Sequence, residues 1–351
     1  MRGVNPKYLA KLDPEQQRAA LTGPGKFFLD DFVFIHGNHI FIIGTTGSGK
    51  TNKGYWLVNW LKHTELQIWL DSGKSDEIIP LLCQDMPVHI IVPKYADVII
   101  EERINGVWQK IPDHPSISYI PDAGDTWFAI KKNHINILCF RNAFWTVSAR
   151  AQWMTELFET LSAWSRLGRM PAIFPFTLHA DESQWLLAGT RISKDADRAK
   201  SAEIITENAL DIRSKGGRLA MYAQDVLNIP PAIRQNLICA ILCRGCEIKS
   251  EVSRKLSVHC NGPPWVKNPA NFRKEEGKFV NEFGQAIPTN RPWTFSHFPK
   301  SEDDRRWLRR VRVRYVGFND QKPASAEAEE ELIPDLGRFQ AAAIKPEPQE
   351  R

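Results

Sequence analysis

The stretch Gly44-Thr45-Thr46-Gly47-Ser48-Gly49-Lys50-Thr51 constrains this chain more than any other, because it meets every fixed position of the phosphate-loop pattern G-x-x-x-x-G-K-[ST]. The run before it, His39-Ile40-Phe41-Ile42-Ile43, is short, apolar and β-branched, and reads as a buried strand. The run after it, from Asn52 to His63, places Tyr55, Trp56, Val58 and Leu61 at helical spacing. Strand, glycine loop and helix form the context the motif requires. In that geometry successive backbone N–H groups turn toward a β-phosphate and the helix N-terminus adds partial positive charge. Lys50 then reaches the β/γ oxygens, and the Thr51 hydroxyl ligates Mg²⁺. The expected ligands are therefore ATP and Mg²⁺.

With 351 residues and 42% apolar content, the chain is long enough for one large α/β domain with insertions. The formal net charge is +5, but residues 321–351 hold 4 basic and 7 acidic side chains; residues 1–320 therefore carry 42 minus 34, or +8. A mildly basic body suits a polyanionic partner. No run of 18 apolar residues occurs and Met1 to Pro6 lacks the apolar core of a signal peptide. No membrane insertion and a cytoplasmic location are expected, or a virion-associated one if the protein is viral. The six cysteines are too few for a disulfide framework in a chain of this length, and reduced thiols are the default.

Read in order, residues 1–29 form a lead-in with a short helix opening at Asp13-Pro14. An ATPase domain is expected over 30–262. Within it Leu66 to Leu70 and Val88 to Pro93 read as further strands. Asn105-Gly106, flanked by β-rich runs, predicts a hairpin inserted over 97–118. Asn136 to Phe140 is another strand, and Ala149 to Leu167 a long helix whose Trp153, Leu157, Leu161 and Trp164 face the core. Ile173 to Ala180 is a strand that closes on Asp181-Glu182. Residues 190–213 have helical spacing, Arg218 to Ala223 is a strand ending in Gln224, and Ile238 to Arg244 is one more strand. Residues 263–320 read as a β-rich C-terminal extension, and 321–351, rich in Ala, Glu and Pro, as a disordered tail. In the extension Arg310, Arg312 and Arg314 alternate with Val311, Val313 and Tyr315. That pattern gives a strand one basic and one apolar face, more readily a charged, protected edge than a face against nucleic acid.

A carboxylate at a strand end beside the phosphate loop holds Mg²⁺, and the next one polarises the attacking water. Asp181 and Glu182 suit those two tasks, and Gln224 suits reading of a γ-phosphate. Cys243, Cys246, His259 and Cys260 could in principle ligate zinc, but Cys243 sits in an apolar strand run, and adjacent His259 and Cys260 point opposite ways if extended.

The ordered set of a strand ending in the phosphate loop, an Asp71-x-x-Lys74 strand end, Asp181-Glu182 and Gln224 resembles the HerA–FtsK superfamily of P-loop ATPases over about residues 30–260. The resemblance implies a RecA-like α/β fold: a mostly parallel sheet flanked by helices, with the inserted hairpin and the small C-terminal extension. It implies that Lys50 and Thr51 bind phosphate and Mg²⁺, that Asp181 also serves the metal, that Glu182 is the catalytic base and that Gln224 is the sensor. It further implies a homo-oligomeric ring, usually a hexamer, in which one subunit's arginine completes its neighbour's site. Arg213 best matches that arginine, with Arg218 and Arg234 as alternates. The start of the phosphate loop at Gly44 and the lack of a membrane span make the genome-packaging ATPases of viruses the nearest resemblance. The implied partners are double-stranded DNA and a capsid or membrane-associated protein. A plasmid or mobile-element DNA transfer ATPase, or a P-loop small-molecule kinase, are the alternatives.

Overall fold

A computed structural model describes residues 35–71, 75–111, 115–140, 143–144, 147–167, 173–181, 183, 196–224, 233, 239–243, 276–281, 293–295 and 298–316. Its elements are β1 (Ile40–Ile43), α1 (Lys50–Leu61), β2 (Leu66–Leu70), α2 (Ser75–Ile78), β3 (Val88–Pro93), β4 (Asp97–Ile104), β5 (Val107–Lys110) and β6 (Ser116–Ile120), then α3 (Thr126–Ala129), β7 (Ile135–Leu138), α4 (Val147–Arg166), β8 (Phe176–Ala180), α5 (Ala196–Ser214), β9 (Gly217–Ala223) and β10 (Cys239–Cys243). The chain closes with β11 (Glu276–Asn281), β12 (Trp293–Thr294), α6 (Glu302–Leu308) and β13 (Val311–Val316).

The main sheet runs β12-β11-β10-β1-β9-β8-β2-β7-β3-β6, and from β10 to β6 every neighbouring pair is parallel. Strands covered on both faces must be apolar on both, and β1 is an uninterrupted Ile-Phe-Ile-Ile with no exposed residue. Its side chains alternate between two cores. Phe41 and Ile43 join Trp153, Leu157, Ile205 and Ala209 of α4 and α5 on one face, while Ile40 and Ile42 join Tyr55, Trp56, Leu57 and Trp60 of α1 on the other. The result is a three-layer α/β fold of the RecA-like kind, as expected. The Trp153–Leu157–Leu161 stripe is core, with Trp164 partly buried against it.

Polar residues within the strands are absorbed by partners. Glu65 and Arg218 are both fully buried and paired in fork geometry, with Nη2–Oε1 2.7 Å and Nε–Oε2 3.1 Å. Thr177 also donates to Glu65, and His36 Nδ1 lies 2.8 Å from it. Burial alone pushes the Glu65 carboxyl upward, but the Arg218 charge and these hydrogen bonds outweigh it and hold the pKa below the ordinary value. His179, which interrupts an otherwise apolar strand, is flanked by Tyr222 Oη at 2.6 Å from Nδ1 and Gln67 Oε1 at 2.8 Å from Nε2. Burial drives its pKa down to about 3, so the ring is neutral: Nε2–H donates to Gln67, and Nδ1 accepts from Tyr222.

The Asn105-Gly106 turn has φ 50° and 84°, the positive pair that a tight two-residue hairpin requires. The hairpin is shorter than the expected 97–118, however. It ends at Lys110, and residues 116–120 leave it to become β6, parallel to β3 in the main sheet. The C-terminal segment differs too. β11 and β12 extend the main sheet beyond β10, and β13 pairs with β4 to make a three-stranded sheet β13-β4-β5. A strand with one apolar face finds its cover where an inserted hairpin has one to share, which is why Val311 and Val313 lie buried with Val98 and Ile100. The lead-in 1–29, the tail 321–351 and three of the four zinc candidates lie outside the described residues. Cys243, the fourth, is fully buried.

Candidate active site

Parallel strands place all their carboxyl ends on one sheet edge, where ligands of open α/β sheets bind. The phosphate loop leaves β1 at that edge, Asp181 follows β8, Gln224 follows β9 and Asp71 follows β2. Strand order brings them together: β9 lies between β1 and β8, so Gly44 N donates to Ala223 O at 3.1 Å. The residue after Ala223 is Gln224, which is exposed at the loop's flank.

The loop's glycines have different physical reasons. A Cβ on Gly44 would lie 2.5 Å from Cys243 Cβ and 2.5 Å from Ser48 Oγ, so this glycine permits close approach of β1's end to β10. Gly47 has open space around it but φ 75°, and Gly49 has φ 83° as the residue that caps α1; these two are needed for their backbone shape. Lys50 Nζ donates to Gly44 O at 2.9 Å and Thr45 O at 3.1 Å, so its ammonium sits inside the ring the loop makes.

Thr51 Oγ1 donates to Asp181 Oδ2 at 2.9 Å, joining residues 130 positions apart. Asp181 is only 2% exposed. Two hard oxygen donors at the mouth of a phosphate loop fit Mg²⁺, which takes one or two protein oxygens and completes its shell with water and substrate phosphates. No cluster of three or more His, Cys, Asp or Glu converges among the described residues, and such a site does not need one. Glu182 lies outside the described residues, as does Arg234.

The arginines separate by position. Arg213 is in the last turn of α5, immediately before β9, and therefore at the opposite sheet edge from its own phosphate loop. The seven residues of β9 put roughly 20 Å between the two edges. Its carbonyl is packed under Gly37, where a Cβ would approach it to 2.3 Å. Arg218 is fully buried on Glu65, so it is held within the subunit and unable to reach a neighbour.

Sequence reading did not anticipate two supports of the site. Beneath α1, Gly54 faces Tyr222 so closely that a Cβ would sit 2.6 Å from Oη. Above α1, residues from the C-terminal segment close over it. Phe298 lies 6.0 Å from Tyr55 and 6.5 Å from Trp56 between ring centroids, and Phe295 lies 6.0 Å from Trp60. Lys300 Nζ stands 4.5 Å over Trp56, and Phe298 N donates to Asn52 Oδ1 at 2.7 Å. The helix is therefore buried nearly all round, and its apolar spacing could not reveal a second cover contributed from far along the chain, as in the 246-residue separation of Asn52 and Phe298.

No helix among the described residues is long and apolar enough to cross a membrane. No family model and no curated protein matches the chain. Among solved structures, it is similar to the genome packaging NTPase B204 of Sulfolobus turreted icosahedral virus 2 in complex with AMP at 12% identity and TM-score 0.42, over 73% of this chain and 98% of that one. It is similar to VirB4 of Thermoanaerobacter pseudethanolicus at 13% identity and TM-score 0.44, over 76% of this chain and 91% of that one. ATPases 2 and 3 of EssC from Geobacillus thermodenitrificans give 14% identity and TM-score 0.43, over 79% of this chain and 44% of that one. At this level of likeness, those proteins assign no role to any residue here. The phosphate loop, Asp181 and Gln224 along one sheet edge are the ordered motifs by which the sequence resembles the HerA–FtsK superfamily.

Proposed function

We propose that this protein is an ATP-hydrolysing motor that moves double-stranded DNA, with genome packaging favoured over plasmid or mobile-element transfer. The observation that carries the hydrolytic reading is the 2.9 Å contact between Thr51, at the start of α1, and Asp181, after β8, with β9, which Gln224 follows, lying between β1 and β8. A bound Mg²⁺ would neutralise charge on the β- and γ-phosphates. On nucleotide binding, Lys50 would exchange the Gly44 and Thr45 carbonyls for phosphate oxygens. Glu182, next to Asp181, would accept the proton of the attacking water, and Gln224 would report the presence of the γ-phosphate. Arg213 is set on the edge away from its own loop, out of reach of the nucleotide that loop would hold, which suits a residue serving a neighbouring subunit, and such an arginine raises turnover by about 10³–10⁵. This implies a ring, with a hexamer as the expected form.

The test is phosphate release with and without duplex DNA, in wild type, Lys50→Ala and Glu182→Gln. DNA-stimulated release that Lys50→Ala abolishes, with Glu182→Gln retaining nucleotide but not turning it over, is the expected outcome. Transfer of the γ-phosphoryl group to a small acceptor in place of its release as phosphate would overturn the motor in favour of a kinase.

A further inference from the structure

The β13-β4-β5 sheet buries one face and leaves the other outward. Directly paired residues of antiparallel strands share a face, and the register sets Arg312 opposite Glu101 and Glu101 opposite Lys110, with Arg103 opposite Trp108 and Arg314 opposite Ile99. Arg310 joins at the corner, its carbonyl accepting from Arg103 N at 2.7 Å. Arg310, Arg312 and Arg314 expose 59%, 44% and 52% of their side chains.

The carboxylates in reach do not neutralise this face. Glu101 Oε2 serves two guanidinium groups, Arg312 Nε at 2.7 Å and Arg314 Nε at 3.7 Å, and Glu102 Oε1 lies 3.4 Å from Arg310 Nη2. The five cations Arg103, Lys110, Arg310, Arg312 and Arg314 against these two carboxylates and Asp97 at the start of β4 leave 5 minus 3, or +2, on one small sheet. An edge that charge merely protects from pairing needs no such one-sided excess. The Arg312 guanidinium also lies 4.2 Å over the Trp108 ring, which pre-orders it and covers the aromatic surface that an unstacked base would use. The ligand such a face fits is the phosphate backbone of a duplex rather than exposed bases.

One strand links this face to the nucleotide edge. Tyr315 of β13 is partly buried against the cluster that holds Ile78 of α2, the helix that follows β2, and burial first, then the Asp71 charge, push its hydroxyl pKa upward. We infer that the outward face of the β13-β4-β5 sheet is a duplex-DNA backbone contact, joined to the ATP edge through β13. This rests on the motor reading and names the surface by which the motor holds its track.

The test uses the full chain and a fluorescent duplex of about 30 base pairs, titrated at several salt concentrations, alongside DNA-independent ATPase and thermal unfolding. Each phosphate contact contributes about 0.9 to the slope of log K against log salt. The triple variant Arg103→Gln/Lys110→Gln/Arg314→Gln is expected to reduce that slope by about 2–3 and to weaken low-salt binding more than tenfold. DNA stimulation of the ATPase should fall in parallel, while basal turnover and the unfolding midpoint are retained. Lys110→Glu alone, at an exposed site, should weaken binding in the same direction if the triple variant folds poorly. Wild-type duplex binding that neither variant alters would overturn the face and leave the motor standing. Basal ATPase with no duplex binding, or binding only to anionic vesicles, would overturn the inference. Face-dependent duplex binding without hydrolysis would support the face and remove the motor reading.

Discussion

Tyr222, His179 and Gly54 show how single residues hold the site from below. The Tyr222 hydroxyl occupies the space that any side chain at position 54 would need, with Oη, Cε2 and Cζ at 2.6, 2.7 and 2.7 Å from an added Cβ. Gly54→Ala is therefore expected to cost about 1–3 kcal/mol by overpacking, measured by denaturant unfolding. Tyr222→Phe should not relieve it, because the ring carbons remain. His39 and His179 make a second residue-scale prediction. Burial lowers their pKa values from 6.5 to about 4 and about 3, so the folded state keeps both neutral while the unfolded state takes up protons below pH 6.5. Stability should be flat above about pH 7 and fall as pH drops from 6.5 toward 4, by roughly 2 kcal/mol per imidazole at pH 5. Glu65, with its depressed pKa, adds to the loss only below its unfolded value near 4.5. Unfolding midpoints between pH 4.5 and 8 check the sign.

At the scale of elements, α1 depends on what lies on both of its sides. Propensity and spacing predict the helix, but its stability comes from the sheet below and Phe295, Phe298 and Lys300 above. Phe298→Ala is expected to cost about 3–5 kcal/mol and to raise hydrogen exchange over residues 50–61, with little effect on α4 and α5 across the sheet. The strands β1, β2, β3, β8, β9 and β10 were readable because parallel strands covered on both faces are continuous apolar runs. β6 was not: Ser116-Ile117-Ser118-Tyr119-Ile120 alternates as an edge hairpin strand would, and only the sheet's outermost position gives such a pattern a parallel partner. The polar Thr177 and His179 are likewise explained only once Glu65, Gln67 and Tyr222 stand beside them.

For the whole molecule, separation of Arg213 from its own loop by the breadth of the sheet makes a prediction that a single subunit cannot satisfy. Arg213→Ala alone and Lys50→Ala alone should each be inactive. Mixed, they should regain ATPase activity, because the intact loop of one meets the intact arginine of the other; absence of complementation in assembled mixed rings would remove Arg213 from that role. The sequence by itself determined the phosphate loop and its strand and helix, since local backbone shape and periodicity encode both. It also determined the order of acidic and polar strand ends that follow. Tertiary structure alone decided that Thr51 meets Asp181, that Arg218 is held in a buried pair, that Phe295, Phe298 and Lys300 brace α1, and that β13 completes the hairpin sheet. Each of those contacts joins residues far apart in the chain, and no local periodicity records which distant partner fills a buried surface or satisfies a buried charge.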